Sequence, residues 1–339
     1  MQLIKTPTKG MNDYLPRETR LREYVKGVII RAYEKNGFSM IETPAVEHIE
    51  NLTGKNGGDN EKLIFKIMKR GEKLNEAAGN DAELCDSGLR YDLTVPLSRY
   101  YANNQAKLPS PFMAMQIGNV WRADRPQKGR FRQFTQCDID ILGDSTQLAE
   151  ITLISATTGV LRELGFDNFT VRINDRRLLK VCADYCGFKP EDCDKVFITL
   201  DKMDKIGLDG VKRELVEEGF DEASVEKYVA LYENCDAVSV SEFAADRLGG
   251  NGADIAASLE SIMRCATAAT AGGCSLKFDP TLVRGMSYYT GTIFEISMDG
   301  YGYSVGGGGR YDEMLAKFSG QKTPACGFSL GFERIVAAL

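Results

Sequence analysis

The chain has 339 residues, 42 of them Lys or Arg and 48 Asp or Glu, for a formal net charge of −6. That length supports about two domains at roughly 150 residues each, and without bulk positive charge any nucleic-acid contact must be local. No apolar run approaches the roughly 18 residues of a membrane span, the N-terminus lacks the shape of a signal peptide, and the one histidine, His48, excludes HExxH zinc proteases and Cys2His2 sites.

His48 lies in the mixed stretch Val46-Glu47-His48-Ile49-Glu50 and reads as a surface or capping side chain. Nine cysteines with no CxxC pair point to a reducing cytosol, and the loose group Cys182, Cys186 and Cys193 does not read as a metal site.

In chain order, Leu21, Tyr24, Val25, Val28, Ile29, Ala32 and Tyr33 repeat at helical spacing, with Pro16 before them and Gly37 after, which predicts an amphipathic helix. A strand over 38–43 stops at Pro44. Residues 45–89 are polar and turn-rich, with a hairpin predicted from 63–68 to 72–74, turning at Arg70-Gly71, and a mobile loop over 80–87. A strand and helix start follow at 89–96. Two strands, 112–122 and 132–142, flank a basic loop over 123–131. In the second strand Thr135, Cys137, Ile139 and Ile141 alternate with Phe134, Gln136, Asp138 and Asp140, so the polar set shares one face. A helix over 146–164 and a strand over 169–173 come next. Residues 176–273 are charged, alanine-rich and helical in pattern, as in a separate insert. Strand texture returns at 276–278 and 292–298. A glycine run, 306–309, is expected at a strand end, then a helix over 311–318, a strand over 325–330 and a last helix carrying Phe332, Ile335, Val336 and Leu339. This order lacks regular βαβα alternation and predicts an α+β fold, an antiparallel sheet flanked by helices and interrupted by a helical insert.

Four clusters could carry chemistry. Residues 121–132 hold five cations, Arg122, Arg125, Lys128, Arg130 and Arg132, beside the strand bearing Gln136, Asp138 and Asp140. Together they suggest a pocket that reads a phosphate and a cationic or hydrogen-bond-donating group. Arg284, followed by Gly285 and by the pair Tyr288-Tyr289, can offer a fixed guanidinium and two phenols. The glycine run implies close backbone approach or positive φ, and no GxxxxGK[ST] loop or Rossmann fingerprint is present. Arg334 begins an apolar-faced helix.

These clusters resemble the class II aminoacyl-tRNA synthetases, and among them the histidyl-tRNA synthetase family, over nearly the whole chain. The first helix and the strand ending at Pro44 are similar to motif 1, the dimer-forming element, Arg122-Ala123-Asp124 with its loop to motif 2, and 327–334 to motif 3. More selective are Arg125-Pro126-Gln127-Lys128-Gly129-Arg130, Gln136-Cys137-Asp138-Ile139-Asp140 and Arg284-Gly285-Met286-Ser287-Tyr288-Tyr289, similar to histidine-specific signatures. Ser287 stands where many relatives carry an acid.

The resemblance implies a histidine–tRNA ligase that uses ATP and Mg2+, a cytoplasmic homodimer acting on histidine and tRNA(His). It implies Arg122 at the α-phosphate, Asp124 at the adenine amino group, and Arg130 and Arg334 at the β- and γ-phosphates with magnesium. Arg284 would meet the charge developing at the α-phosphate. Asp92, Thr94 and Gln136 would take the α-amino group, while Asp140 and Tyr289, with Tyr288 nearby, would read the imidazole. It also implies a catalytic domain from 1–175 and 274–339 around an insertion domain at 176–273. No anticodon-binding domain follows motif 3 in this sequence, so adenylate formation is expected to survive better than tRNA charging. The competing expectation is a histidine-binding regulatory subunit of a short-form ATP phosphoribosyltransferase. Retention of Arg122, Asp124, Arg130, Arg284 and Arg334 speaks for the enzyme.

Overall fold

The computed structural model describes residues 3–53, 59–80, 83–126, 129–235, 238–284 and 288–339. In chain order the elements are α1 (Pro16–Lys35), β1 (Ser39–Met40), β2 (Val46–His48), α2 (Ile49–Thr53), β3 (Lys66–Met68), α3 (Glu72–Glu76), β4 (Cys85–Leu89), α4 (Thr94–Asn104), β5 (Phe112–Trp121), β6 (Gln133–Leu142), α5 (Leu148–Glu163) and β7 (Phe169–Asp175). Helices then run without a strand through α6 (Arg176–Cys186), α7 (Cys193–Leu200), α8 (Met203–Glu217), α9 (Glu222–Tyr232), α10 (Val240–Glu242) and α11 (Ala253–Ala269). The chain ends with β8 (Ser275–Phe278), β9 (Thr292–Met298), β10 (Ser304–Arg310), α12 (Ala316–Ser319), β11 (Ala325–Gly331) and α13 (Phe332–Ala338).

One sheet has eight strands in the order β1-β5-β6-β11-β10-β9-β7-β8, and a smaller one has the order β2-β4-β3. β9 pairs antiparallel with both β10 and β7, but the pairs at the two edges, β1 with β5 and β7 with β8, are parallel. The large sheet is therefore mixed rather than purely antiparallel.

Contacts divide the chain into two compact units: residues 1–140, 317–321 and 329–339 form the first, 141–316 and 322–328 the second. In the first, the periodic stripe of α1 is buried at five of its seven positions, Leu21 is half-buried, and Tyr24, counted in it, faces outward. Val25, Val28, Ile29 and Tyr33 are at most 1% exposed, whereas Tyr24 is 57% exposed. Each buried aliphatic of that size contributes about 1.5–3 kcal/mol. α1 also carries Arg22, whose Nη2 donates to Glu333 Oε1 of α13 at 2.9 Å while its guanidinium stacks on Tyr14 and Phe332. In the second unit Val171 and Ile173 of β7 and Ile293, Phe294 and Ile296 of β9 are buried. The helices between β7 and β8 enclose a run of edge-on aromatic contacts, Phe188 to Tyr228 at 5.4 Å and Tyr228 to Tyr232 at 5.1 Å.

Several expected elements are corrected. The strand predicted over 38–43 reduces to β1, and β2 in the other sheet follows Pro44. There is no hairpin from 63–68 to 72–74. β3 pairs antiparallel with β4 instead, and residues 72–76 are helix α3. The loop expected over 80–87 thus contains the first half of β4, with residues 81 and 82 outside the described set. Close packing explains the missed strand: a Cβ on Gly88 would sit 2.9 Å from Leu52 Cδ1 and 3.0 Å from Ile64 Cγ2. The glycine run lies inside β10, not after a strand. The helix predicted over 311–318 shrinks to α12, because Asp312 is tied into the sheet: its amide donates to Thr290 Oγ1 and its Oδ1 accepts from the Ala325 amide.

Candidate active site

In the first unit the basic loop is fixed at its base. The Arg122 amide donates to the Arg132 carbonyl at 2.8 Å, and the Arg132 amide donates to the Gly10 carbonyl at 2.7 Å. Arg132 Nε donates to the Asp124 carbonyl at 3.0 Å. Gly10, at φ +85°, admits no side chain, since a Cβ would meet Arg132 Cγ at 2.8 Å. The Arg122 guanidinium lies over the Phe134 ring and its Nε donates to the Tyr91 carbonyl at 2.9 Å. That contact leaves the outer nitrogens of the fork to meet an anion. Asp124 is half-buried and Arg130 exposed; Gln127 and Lys128 lie outside the described residues.

Asp92 and Thr94 sit where the chain enters α4. Asp92 is 2% exposed, and its Oδ1 accepts from the Val95 amide at 3.1 Å, satisfying one of the helix's unpaired donors. Its Oδ2 is buried with no hydrogen-bond partner among the described residues. Burial pushes the carboxyl above its ordinary range, with the Val95 amide and Arg122 opposing. Thr94 is buried too, its carbonyl accepting from Ser98 Oγ at 2.9 Å.

β6 places Thr135, Cys137, Ile139 and Ile141 in the core, as the alternation predicts, yet Asp138 and Asp140 on the other face are each only 4% exposed. A strand buried on both faces with two acids on one of them is not a solvated edge. Burial and the neighbouring Asp140 hold Asp138 well above the usual carboxylate range, opposed by the Ser329 hydroxyl and by Arg122. Ser329 Oγ donates to Asp138 Oδ1, and Gln136 Nε2 lies 3.3 Å from Asp138 Oδ2, 3.4 Å from Oδ1 and 3.2 Å from Ser329 Oγ. Gln136 Oε1 is buried with no partner among the described residues.

The first unit thus gathers Asp92, Arg122, Gln136, Asp138 and Asp140. Arg334 is half-buried on α13, and Arg130 is exposed on the basic loop.

The second unit holds Arg284, Tyr288 and Tyr289. Arg284 adopts φ +63°, a region few non-glycine residues occupy unless their surroundings dictate it. Here Nη1 donates to Glu295 Oε2 at 2.6 Å, and Arg172 Nη1 lies 3.6 Å from Glu295 Oε1. Arg172 is itself paired with Asp279. Asn174 Nδ2 donates to the Pro280 and Leu282 carbonyls at 3.1 and 3.0 Å, pinning the segment that leads to Arg284. The Arg284 Nε is buried with no partner among the described residues. Gly285, Met286 and Ser287 lie outside the described residues. Tyr289 is buried beside Tyr288, ring centroids 4.8 Å apart, and burial raises its phenol above the ordinary value.

The glycine run makes this packing possible. A Cβ on Gly307 would lie 2.6 Å from Arg284 Nη1, one on Gly309 3.0 Å from Tyr289 Cδ1, and one on Gly308 2.0 Å from the Gly327 carbonyl oxygen.

Sequence reasoning placed Asp138 in the suggested pocket without a role of its own, and assigned none to Glu295 or Glu333. Each carried a signal. Asp138 lies two positions from both Gln136 and Asp140 on one strand face. Glu295 is a lone acid among Ile293, Phe294 and Ile296. Glu333 directly precedes Arg334 and receives Arg22 and the Thr135 amide.

Comparison with known proteins places the chain among relatives. The family model described as histidyl-tRNA synthetase matches residues 10–335. The histidine–tRNA ligase of Leifsonia xyli subsp. xyli (strain CTCB07) is 49% identical over 342 residues, covering 98% of this chain and 79% of that protein. The crystal structure of histidyl-tRNA synthetase from Nostoc sp. PCC 7120 superposes with a TM-score of 0.83 at 28% identity, covering 100% of this chain and 76% of that one. An ATP phosphoribosyltransferase regulatory subunit/histidyl-tRNA synthetase from Bacillus halodurans C matches with a TM-score of 0.81 at 22% identity, covering 100% and 84%. The last is a likeness of fold. With a family model matched from residue 10 to 335 and a relative 49% identical across 98% of this chain, the chain belongs to the histidyl-tRNA synthetase family.

Proposed function

We propose that the chain is a histidine–tRNA ligase, which activates histidine with ATP to histidyl-adenylate and passes the histidyl group to tRNA(His). The observation that carries this reading is a pair of buried acceptors, Asp92 Oδ2 and Gln136 Oε1, without partners among the described residues. They stand in the unit that also presents Arg122. Buried acceptors of this kind are costly unless a donor arrives, and an α-ammonium group supplies three N–H bonds.

In this reading the histidine carboxylate attacks the α-phosphorus of ATP, an O–P bond forms, and the bond to the pyrophosphate oxygen breaks. The step needs positioning and cationic stabilisation rather than a protein nucleophile, so a chain with one exposed histidine can perform it. Arg122 and Arg284 serve the α-phosphate, Arg130 and Arg334 the β- and γ-phosphates, and Asp124 the adenine amino group. Asp92, Thr94 and Gln136 hold the α-amino group. Asp140 and Tyr289, with Tyr288, read the imidazole, whose two nitrogens a carboxylate and a phenol can satisfy together. An amino acid without that ring could not engage a carboxylate and a phenol together, which supports rejection by roughly 10⁴-fold or more. Magnesium is read as arriving on the ATP phosphates, where it would neutralise charge.

The same reading takes residues 1–175 and 274–339 as the catalytic domain, 176–273 as an insertion that meets the acceptor stem, and α1 with β1 as the element through which two copies pair. The likeness to the Bacillus halodurans protein, being one of fold, gives the regulatory reading no separate support. A histidine-dependent ATP–pyrophosphate exchange assay tests the proposal. Exchange is expected, and histidine binding by folded protein without exchange overturns it.

A further inference from the structure

The amide of Gln136 could stand in either of two orientations, and they differ in function. With Oε1 outward it accepts from a cationic donor; with Nε2 outward it presents a donor that repels one. The structure contains a device that selects between them. Nε2 faces both oxygens of Asp138, at 3.3 and 3.4 Å, and the Ser329 hydroxyl oxygen at 3.2 Å. The Ser329 proton is already committed to Asp138 Oδ1, so Ser329 Oγ can only accept from Gln136. Turning the amide over would set Oε1 against three acceptor oxygens, two of them on a carboxylate. Asp138 is 4% exposed, so water cannot relieve that clash, and in a low-dielectric setting the difference is large.

We infer that Asp138 is a positioning residue that fixes the polarity of the Gln136 amide, turning its oxygen toward the amino group of the substrate. This rests on the proposed reading in which Gln136 takes the α-amino group, and it deepens that reading. The buried, partnerless Oε1 is the second observation that points to a ligand. Ser329 completes the lock from β11. Asp138 therefore acts on the amino acid only through Gln136, and it helps set which end of the amino acid enters that subsite.

The test is calorimetric binding of two ligands, histidine and 3-(imidazol-4-yl)propionate, which lacks only the amino group. In Asp138→Asn the side chain keeps its shape but offers one acceptor and one donor, so the amide is no longer held one way. Histidine affinity is expected to fall about tenfold or more, the size of a lost hydrogen bond to a charged group, while affinity for the des-amino ligand changes by less than about twofold. Ser329→Ala, which leaves the carboxylate in place, should shift histidine affinity in the same direction by less. Equal loss of both ligands in Asp138→Asn means a general structural role and overturns the inference, as does unchanged histidine affinity. Binding of histidine by the unsubstituted protein without pyrophosphate exchange would instead sink the ligase reading and leave the amide lock measurable. Failure to bind histidine at all would overturn both.

Discussion

Glu295 stands between two guanidinium groups, 2.6 Å from Arg284 and 3.6 Å from Arg172, and it is where the reactivity proposed for Arg284 is set. Glu295→Gln keeps the shape but removes the charge, so Arg284 keeps its place in the chain and loses its anchor. The turnover of pyrophosphate exchange should fall at least about tenfold while histidine affinity moves less than about twofold, because the guanidinium is proposed to meet charge that develops in the transition state. A proportional fall in histidine affinity would mean that the ion pair merely supports the fold. Asp138 makes an opposite trade. Its pKa in the fold is raised by burial and Asp140, so the folded protein binds that proton more tightly than the unfolded chain. The stability it permits is thus present below the unfolded value, about 3.9, and is lost as pH rises through the higher folded value. Asp138→Asn cannot ionise. Its melting temperature is expected to exceed the parent's at pH 8, with the gap closing toward pH 4, as followed by thermal unfolding across that range. A lower melting temperature at pH 8 would show that the Asp138 charge stabilises the fold.

At the scale of elements, β10 shows why some strands cannot be read from sequence. Its centre is Gly306-Gly307-Gly308-Gly309, a composition with no β propensity and no alternation. The run fits because neighbouring groups fill the space where side chains would stand, a tertiary cause invisible to local pattern. Gly308→Ala would drive a methyl to 2.0 Å from the Gly327 carbonyl oxygen and 2.8 Å from Phe328 Cα, where only backbone could yield. Its cost should reach about 3 kcal/mol or more. Gly302→Ala is the control, since nothing lies within 4 Å of its Cβ, and it should stay within about 0.5 kcal/mol by denaturant unfolding. Similar costs for the two would refute the packing account. Elements with many residues on one period were legible for the converse reason. α1 carries its apolar stripe from Leu21 to Tyr33, more than three turns, and β6 alternates from Phe134 to Ile141. β3 and β2, with three residues each, are too short to show a period, and so the pairing of β3 with β4 was missed.

At the scale of the whole molecule, the α+β class and the long helical stretch between two strand regions were legible because composition changes sharply at residue 176. The residues with candidate roles were legible as types at spacings. Their partners were not, because Glu295 with Arg172, or Asp138 with Ser329, meet only through strand neighbours far apart in the chain.

The parallel pairing of β7 with β8 has a further meaning for that helical stretch. Ser275 opens β8 level with Thr170 near the start of β7, while β7 runs on to Asp175 before the helices begin. The helices from α6 to α11 are therefore a crossover connection of the kind parallel strands require, not a lobe hung from two adjacent stalks. Cutting them out leaves ends about 16 Å apart along the strand direction. A protein engineer replacing 176–273 with a two-residue turn should lose β8 from the sheet, whereas a flexible bridge of eight residues spans the gap. Circular dichroism and protease resistance of the two deletions would tell them apart, and equal folding of both would contradict the parallel register.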